Sequence, residues 1–511
     1  MPRSQKHIGQ AIVVGAGIAG LCAAARLCAA GFGVTVIEQA SAPGGKIRSV
    51  PSLAGPVDAG PTVMTLKPVF DDVFRCLGEK LDDHLQIEKC ETIARHVWPD
   101  GSQLDLSHDP ASNITAIRAF SDNANANAFE HFHRETRALY DTFRTPMMET
   151  PEPSLPALGA AVMRKPALLR AMAPGQTLDA RLSTLFSDRR LVQLFGRYAT
   201  YVGGSPFEAP ALLGLIWQAE AAGVWTIPGG MAQLPLAIEA LCIRHGVTFL
   251  YNSVVTRLNT NDDAGPTVIL DGDRTLMADV VVFNGDPRAL AKGALGPDVA
   301  GVASDTRTAP RSLSALVWSF AAKASGFDLS HHNVFFSADN AREFSELANG
   351  HPPSAPTLYV CAQDRNRHGP APSGYERFEI IINAPALSTA RSPELDFETW
   401  QNRTFQTLAQ FGLTFDPLPG PQALTQPSDF ASLFPESLGS LYGQSPHGMT
   451  ASLKRPRAKT SVPGLYLAGG GAHPGAGIPM AALSARHAVE TIMKDRTSRF
   501  ASRQTAMHGG I

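Results

Sequence analysis

Hydrophobic residues follow two different rhythms along this chain. Near the start, Ala11–Val14 (AIVV) is apolar at every position, which predicts a short strand buried on both faces. Leu21–Ala30 (LCAAARLCAA) is apolar nearly all round and predicts a buried helix that Gly31 stops. Val34–Glu38 (VTVIE) predicts a second strand. Further on, Phe129, Phe132, Leu139, Tyr140 and Phe143 recur at helical spacing and predict an amphipathic helix over Asn127–Thr145. Asp188–Tyr201 predicts another, with Ser187 as N-cap and Gly203 as its stop. The runs Leu313–Phe320, Asn333–Phe336, Leu358–Ala362 and Arg377–Ile382 are short, β-branched or aromatic, and separated by Gly/Pro/Asp clusters. They predict an antiparallel sheet with helices on one side, forming an apolar wall.

The first unit thus reads strand, glycine turn, helix, strand, acid. The turn is GAGIAG, Gly15–Gly20, with Ile18 and Ala19 between its last glycines. Gly15 permits the tight turn, Gly17 lets the backbone approach a pyrophosphate, and Gly20 lets the helix pack close to the sheet. Free N–H groups at the helix start suit a diphosphate. Glu38 stands where a carboxylate accepts hydrogen bonds from a ribose. This unit alone does not separate NAD from FAD. After it come SAPGGKIR, with Gly45, Lys46 and Arg48, and VDAGPT, with Gly60, Pro61 and Thr62. A plain NAD domain needs neither. A second glycine-rich run, GGGAHPGAGIPMA, spans Gly469–Ala481.

Composition narrows the function classes. The chain has 511 residues, 44% hydrophobic and 18% charged, which fits a globular protein of two or three domains. A net charge of −2 gives no pull toward nucleic acid. The six cysteines form no C-x-x-C pair and read as free thiols. MPRSQKHIGQ carries no apolar signal core, and no apolar run reaches the length of a membrane span. His331-His332 could suggest a metal, but no carboxylate or third histidine keeps regular spacing with them, so none is expected. Leu155–Met172 mixes Arg164, Lys165 and Arg170 with Met163, Leu168, Leu169 and Met172. That mix suits a membrane-surface segment and equally an ordinary helix with a basic edge.

On these motifs the chain resembles the carotenoid desaturase branch of the amine-oxidase-like FAD enzymes, which includes the bacterial phytoene desaturases. The resemblance rests on GAGIAG, GGK, VDAGPT, FGRYATYVGGSP at Phe195–Pro206, GVWTIPGGMAQLPLAIEAL at Gly223–Leu241, VVVFNGDP at Val280–Pro287 and HPGAGIP at His473–Pro479. Pro51–Phe74 and Tyr442–Pro479 are most similar to the 1-hydroxycarotenoid 3,4-desaturases of phototrophic bacteria.

The resemblance implies an α/β fold: a two-dinucleotide-binding, Rossmann-like FAD domain with an inserted α+β substrate domain containing a mixed or antiparallel sheet. Residues 1–85, 215–290 and 430–495 would form the first, 86–214 and 291–429 the second, and 496–511 a disordered tail. FAD would be held by the residues named above, by the backbone of Val255, by Asn284 and Asp286, and by Gly469, Gly470, Gly477, Ile478, Pro479 and Met480. Gly470 stands where many relatives carry an acid, a loss the carotenoid branch shares. The implied reaction is desaturation of a carotenoid, with flavin N5 as hydride acceptor and no assigned catalytic side chain. Electrons would leave to an unidentified acceptor of the oxygen or quinone kind. The implied location is the cytoplasmic side of the inner or photosynthetic membrane, peripherally attached. Alternatives are a phytoene desaturase, a carotenoid isomerase, or a non-enzymatic prenyl-lipid-binding chaperone of related fold.

Overall fold

The computed structural model describes residues 7–260, 265–365, 374–388 and 396–508. Its first layer is a five-stranded parallel sheet in the order Leu465–Leu467, Val280–Phe283, Gln10–Val14, Gly33–Ile37, Thr248–Leu250. All five strands lie in the three segments 1–85, 215–290 and 430–495. The unbroken apolar run of the first strand follows from coverage on both faces. Ala11 and Val13 pack with the helices Ile18–Ala29, Gln233–Arg244 and Ile478–His508. Ile12 and Val14 pack the other way, on a small antiparallel sheet made of Val255–Asn259, Thr267–Leu270 and Thr275–Met277.

The second layer is an eight-stranded sheet. Its order is Thr414–Asp416, Ser314–Ser325, Glu376–Ala384, Leu358–Ala362, His332–Phe335, Thr92–Val97, Gln103–Ser107, with Leu424–Thr425 also pairing with Ser314–Ser325. The pairs are antiparallel except His332–Phe335 with Thr92–Val97, which is parallel. The sheet is therefore mixed. One face is an aromatic core: Trp318, Phe320, Phe378, Ile380 and Ile382 pack on Trp400, Phe405 and Leu408 of the helix Phe397–Gln410. On the other face Ala315, Val317 and Ile381 touch Phe430, Phe434 and Leu441. Toward its far end the same face, at Ala94, Leu104 and Val334, clusters with Phe129, Leu182 and Leu191 of the helices Asn123–Phe143, Leu178–Leu185 and Arg189–Gly196, so helices cover both faces and not one as expected.

Several element boundaries move. The helix expected over Asn127–Thr145 runs Asn123–Phe143, because the Asp122 carboxylate accepts from the Asn125 amide at 2.7 Å and starts it earlier. The next expected N-cap shifts by one residue. Asp188, not Ser187, accepts from the Arg190 amide at 2.9 Å, while the Ser187 hydroxyl accepts from the Asn125 side chain. That helix is α only to Gly196. A 3₁₀ stretch carries it to Val202, and Gly203 ends it at φ +74°. Leu155–Met172 divides into two helices, Leu155–Met163 and Ala167–Met172, at Pro166. The segment 496–511, expected as a disordered tail, instead continues the last helix as far as His508; 509–511 lie outside the described residues. No helix among the described residues is long and apolar enough to cross a membrane.

Candidate functional site

The two glycine runs, separated by some 450 positions in the chain, meet at one side chain. Asn284 follows directly on the strand Val280–Phe283. Its Oδ1 accepts from the Gly20 amide at 3.0 Å and its Nδ2 donates to the Ala468 carbonyl at 3.1 Å. The glycines make room for it. A Cβ on Gly17 would stand 2.9 Å from Asn284 Oδ1, and one on Gly469 2.9 Å from Asn284 Nδ2. A Cβ on Gly20 would collide with the Gly15 carbonyl, so that glycine serves the turn itself before it serves helix–sheet packing. Gly15 at φ +100° occupies backbone space that favours glycine. With the Gly20 amide taken, the first-turn amides of Ile18 and Ala19 remain without a carbonyl one turn earlier in the helix.

Glu38 is buried, one residue past the strand Gly33–Ile37. Its carboxylate accepts from the Ala16 amide at 2.6 Å and from the Ala40 amide at 2.9 Å. It is thus fixed against the glycine turn, with lone pairs left for a ribose. The GGK segment lies on the same turn. The Gly44 amide donates to the Ala16 carbonyl, and a Cβ on Gly45 would stand 3.1 Å from the Gly17 Cα. The VDAGPT loop packs on GGK in turn, because a Cβ on Gly60 would collide with the Lys46 carbonyl. Pro61 and Thr62 follow, and the Thr62 hydroxyl pairs with the Tyr359 phenol at 2.7 Å.

Lys46 and Arg48 part company. Lys46 donates to the Leu441 carbonyl at 2.6 Å and lies beside Asp286, Arg311 and Arg455. Burial lowers its pKa to about 8, the Asp286 carboxylate opposes that, and the two guanidinium groups reinforce it. Arg48 instead donates to Thr425 at 2.7 Å and rests over the Phe430 ring, facing the eight-stranded sheet rather than the glycine turn. Asp286 caps the helix Pro287–Ala291 and pairs with Arg311. Arg455 is buried and reaches the second glycine run directly, donating to the Gly470 carbonyl at 2.7 Å and to the carbonyls of Tyr442 and Gln444. Three cations beside one carboxylate leave an excess of positive charge between the two glycine runs. No local pattern in LKRPRAK singles out Arg455 or foretells Arg311; only the fold brings them to this place.

The remaining residues hold the far side. The Gly469 amide donates to Ser484 of the last helix at 2.7 Å. Gly477 is exposed at φ +103°, and Ile478, Pro479 and Met480 open that helix. Val255 pairs with Leu270 in the small antiparallel sheet, next to the turn that carries the Ser253 amide onto the Glu38 carbonyl.

The sheet register supplies a third partner that spacing did not reveal for His331-His332. Cys361 lies opposite His332, and the three donor atoms come within 4.8 Å of one another. His331 Nε2 is 3.6 Å from Cys361 Sγ. Its Nδ1 is engaged by the Arg365 carbonyl, and His332 Nδ1 by the Tyr359 phenol. Burial holds both imidazoles well below the usual histidine range, His331 at about 4.

Close backbone approach at two glycine runs, free amides at a helix start, a buried carboxylate fixed against the turn and a buried excess of cation fit an extended dinucleotide with a diphosphate at its centre. Comparison with known proteins agrees. Residues 18–493 match the family described as flavin containing amine oxidoreductase. The chain is 54% identical over 492 residues to the hydroxyneurosporene desaturase of Cereibacter sphaeroides, covering 96% of this chain and 99% of that one. It is 26% identical to the 1-hydroxycarotenoid 3,4-desaturase of Flavobacterium sp. strain P99-3, over 94% and 99% of the two chains. A solved putrescine oxidase variant shares the fold at TM-score 0.60 and 16% identity, covering 96% of this chain and 99% of that one. With its two glycine runs joined at Asn284 and a family match across nearly all its length, this chain belongs to the flavin-containing amine oxidoreductases and uses FAD.

Proposed function

We propose that the protein is an FAD-dependent carotenoid desaturase that introduces the C3,4 double bond into carotenoids bearing a hydroxyl or methoxyl group at C1. The 54% identity to a hydroxyneurosporene desaturase over nearly the full length carries this reading. Bound FAD would supply the two-electron chemistry as hydride acceptor, and loss of a proton from the neighbouring carbon would complete the double bond. The chain's own part is to bind, orient and exclude water. Glu38 takes the adenosine ribose, the amides of Ile18 and Ala19 take the diphosphate, and Lys46 with Arg455 adds positive charge beside it. Val255 meets the adenine through its backbone, and the loop Gly60–Thr62 and the segment Gly469–Met480 border the ring. Incubating the purified protein with 1-hydroxyneurosporene should lengthen its conjugated chain by one double bond. Comparable turnover of phytoene would overturn the reading.

Lys46 gives this assignment a pH signature. A diphosphate beside it raises its pKa above the value of about 8 that it has in the described structure. FAD binding then takes up a proton between those two values. Affinity should be flat below about pH 8, where Lys46 is already charged, and should fall as the pH rises above it. Flavin titrations from pH 6.5 to 9.5 test this, with Lys46→Met expected to bind more weakly and with a flat profile. A wild-type affinity unchanged across that range would remove Lys46 from the diphosphate.

We further propose that the protein attaches to the face of a membrane without spanning it. Met163 is 82% and Leu169 52% exposed, and Arg164, Lys165 and Arg170 are exposed around them. Apolar side chains ringed by cations suit an anionic lipid surface. Liposome flotation should capture the wild type. Reversing the three cations to Glu should weaken binding to anionic vesicles at least about a hundredfold, at roughly 1 kcal/mol for each basic residue. Equal flotation of both proteins would take this segment out of the account.

A further inference from the structure

The face of the eight-stranded sheet that meets the 430–441 segment carries a row of polar residues. Ser319 pairs in register with Glu379, Glu379 with Cys361, and Cys361 with His332. Partners in register point to the same side, so the four side chains form a line across four adjacent strands. All four are buried, and Glu379 is 0% exposed. On one side of the row, Gln363 accepts from the Asp58 amide and Arg377 donates to the Pro56 carbonyl. On the other side, Val317 and Ile381 pack on Phe430, Phe434 and Leu441. The row thus lies between the VDAGPT loop and the 430–441 segment, both of which belong to the cofactor half.

The row is short of partners. Ser319 Oγ, both oxygens of Glu379 and Nε2 of His332 have no hydrogen bond among the described residues. The Gly60 amide lies near enough to Glu379 to favour its charged form, and so does Arg48. Burial and the neighbouring Asp58 outweigh them and push the carboxyl well above its usual range. An uncharged carboxyl both donates and accepts. Buried polar atoms without partners are destabilising, and native folds hold few of them. Several in one row, bordering the cofactor loop, leave hydrogen-bonding capacity inside the fold that no described residue takes up.

We propose that Glu379, flanked by Ser319, is the binding site for the hydroxyl group at the end of the polyene substrate. This rests on the function proposed above. A hydroxyl gives one donor and accepts in return, which matches the two needs of an uncharged carboxyl. The site acts as a ruler. Along a repeating isoprenoid chain each position resembles the next, so an apolar wall alone cannot select one bond. An oxygen fixed at Glu379 sets which carbons lie over the flavin. A substrate ending in hydrocarbon leaves the carboxyl buried and unpaired.

The test measures kcat/KM and Kd for 1-hydroxyneurosporene and for neurosporene in the FAD-loaded protein. Wild type should prefer the hydroxylated substrate. Glu379→Leu should cut the preference at least about a hundredfold, partly by improving neurosporene binding, while Glu379→Gln should keep it within about tenfold of wild type. A merely damaged variant would lose both substrates equally and leave the ratio alone. If Glu379→Leu does not hold FAD, Ser319→Ala decides the matter, with an expected fall in the ratio of about five- to tenfold. A wild type with no preference overturns the proposed function and this inference with it. A wild-type preference that survives unchanged in the variants overturns the inference alone. Stoichiometric zinc in the purified protein, lost in Cys361→Ser, would also overturn it, because His332 and Cys361 would then be metal ligands.

Discussion

Gly17→Val is expected to give folded protein that carries little or no FAD. The first Cβ atom already stands 2.9 Å from Asn284 Oδ1. A branched side chain has to displace that amide, and the amide bridges the Gly20 N–H to the Ala468 carbonyl. Both glycine runs then lose their common tie, and the bulk also fills the path by which a diphosphate approaches the helix start. Leaving two polar groups unpaired costs about 1–3 kcal/mol each. The loss in FAD affinity should be at least roughly 2 kcal/mol, about thirtyfold. Gly477→Val provides the comparison. Its Cβ meets nothing within 4 Å, so packing inside the protein is untouched and only the positive φ is strained, by about 1–3 kcal/mol. Weak flavination of that variant points to a cofactor passing over Gly477. The measurement is flavin absorbance per polypeptide after purification. Full FAD occupancy in both variants would refute the idea of a shared site.

Wild-type protein should turn over 1-hydroxyneurosporene with a kcat/KM roughly 10⁴-fold above that for phytoene. A site built to hydrogen-bond a substrate hydroxyl rejects an analogue lacking it by about that factor, because the protein's own polar group is left buried and unpaired. An apolar wall by itself discriminates one methylene at only about 10- to 200-fold. The size of the ratio therefore separates the two kinds of selection. Both substrates should be presented in the same detergent or vesicle, and the product followed by the shift in its polyene spectrum. A ratio under about tenfold would restore the phytoene desaturase alternative.

Local chemistry was enough for the first strand, the glycine turn and the placing of Glu38 against that turn. A doubly buried strand needs an unbroken apolar run, and a turn at φ +100° favours glycine; both conditions bear on neighbouring residues and leave a mark in the sequence. The second glycine run was legible for the same reason, and resemblance connected it with the first. What connects them physically was not legible. Asn284 lies some 270 positions from the first run and 185 from the second, and only the parallel order of the strands sets it between them. The same holds for the charges. Lys46 and Arg48 are two residues apart in one basic segment, yet one joins Asp286, Arg311 and Arg455 while the other faces Thr425. The turn at Gly44–Ile47, closed by the Ile47 amide on the Gly44 carbonyl, sends the two side chains to different surroundings, and the partners come from remote chain. The row Ser319–Glu379–Cys361–His332 is the extreme case. None of the four is singled out by its own strand, where other polar residues such as Ser314, Glu376 and Asn333 also occur, and the row becomes a site only when the register of three strand pairs aligns all four. Register is decided by packing across the whole sheet, not by any one segment, so the sequence determined which residues could contribute and the tertiary structure decided which of them stand together.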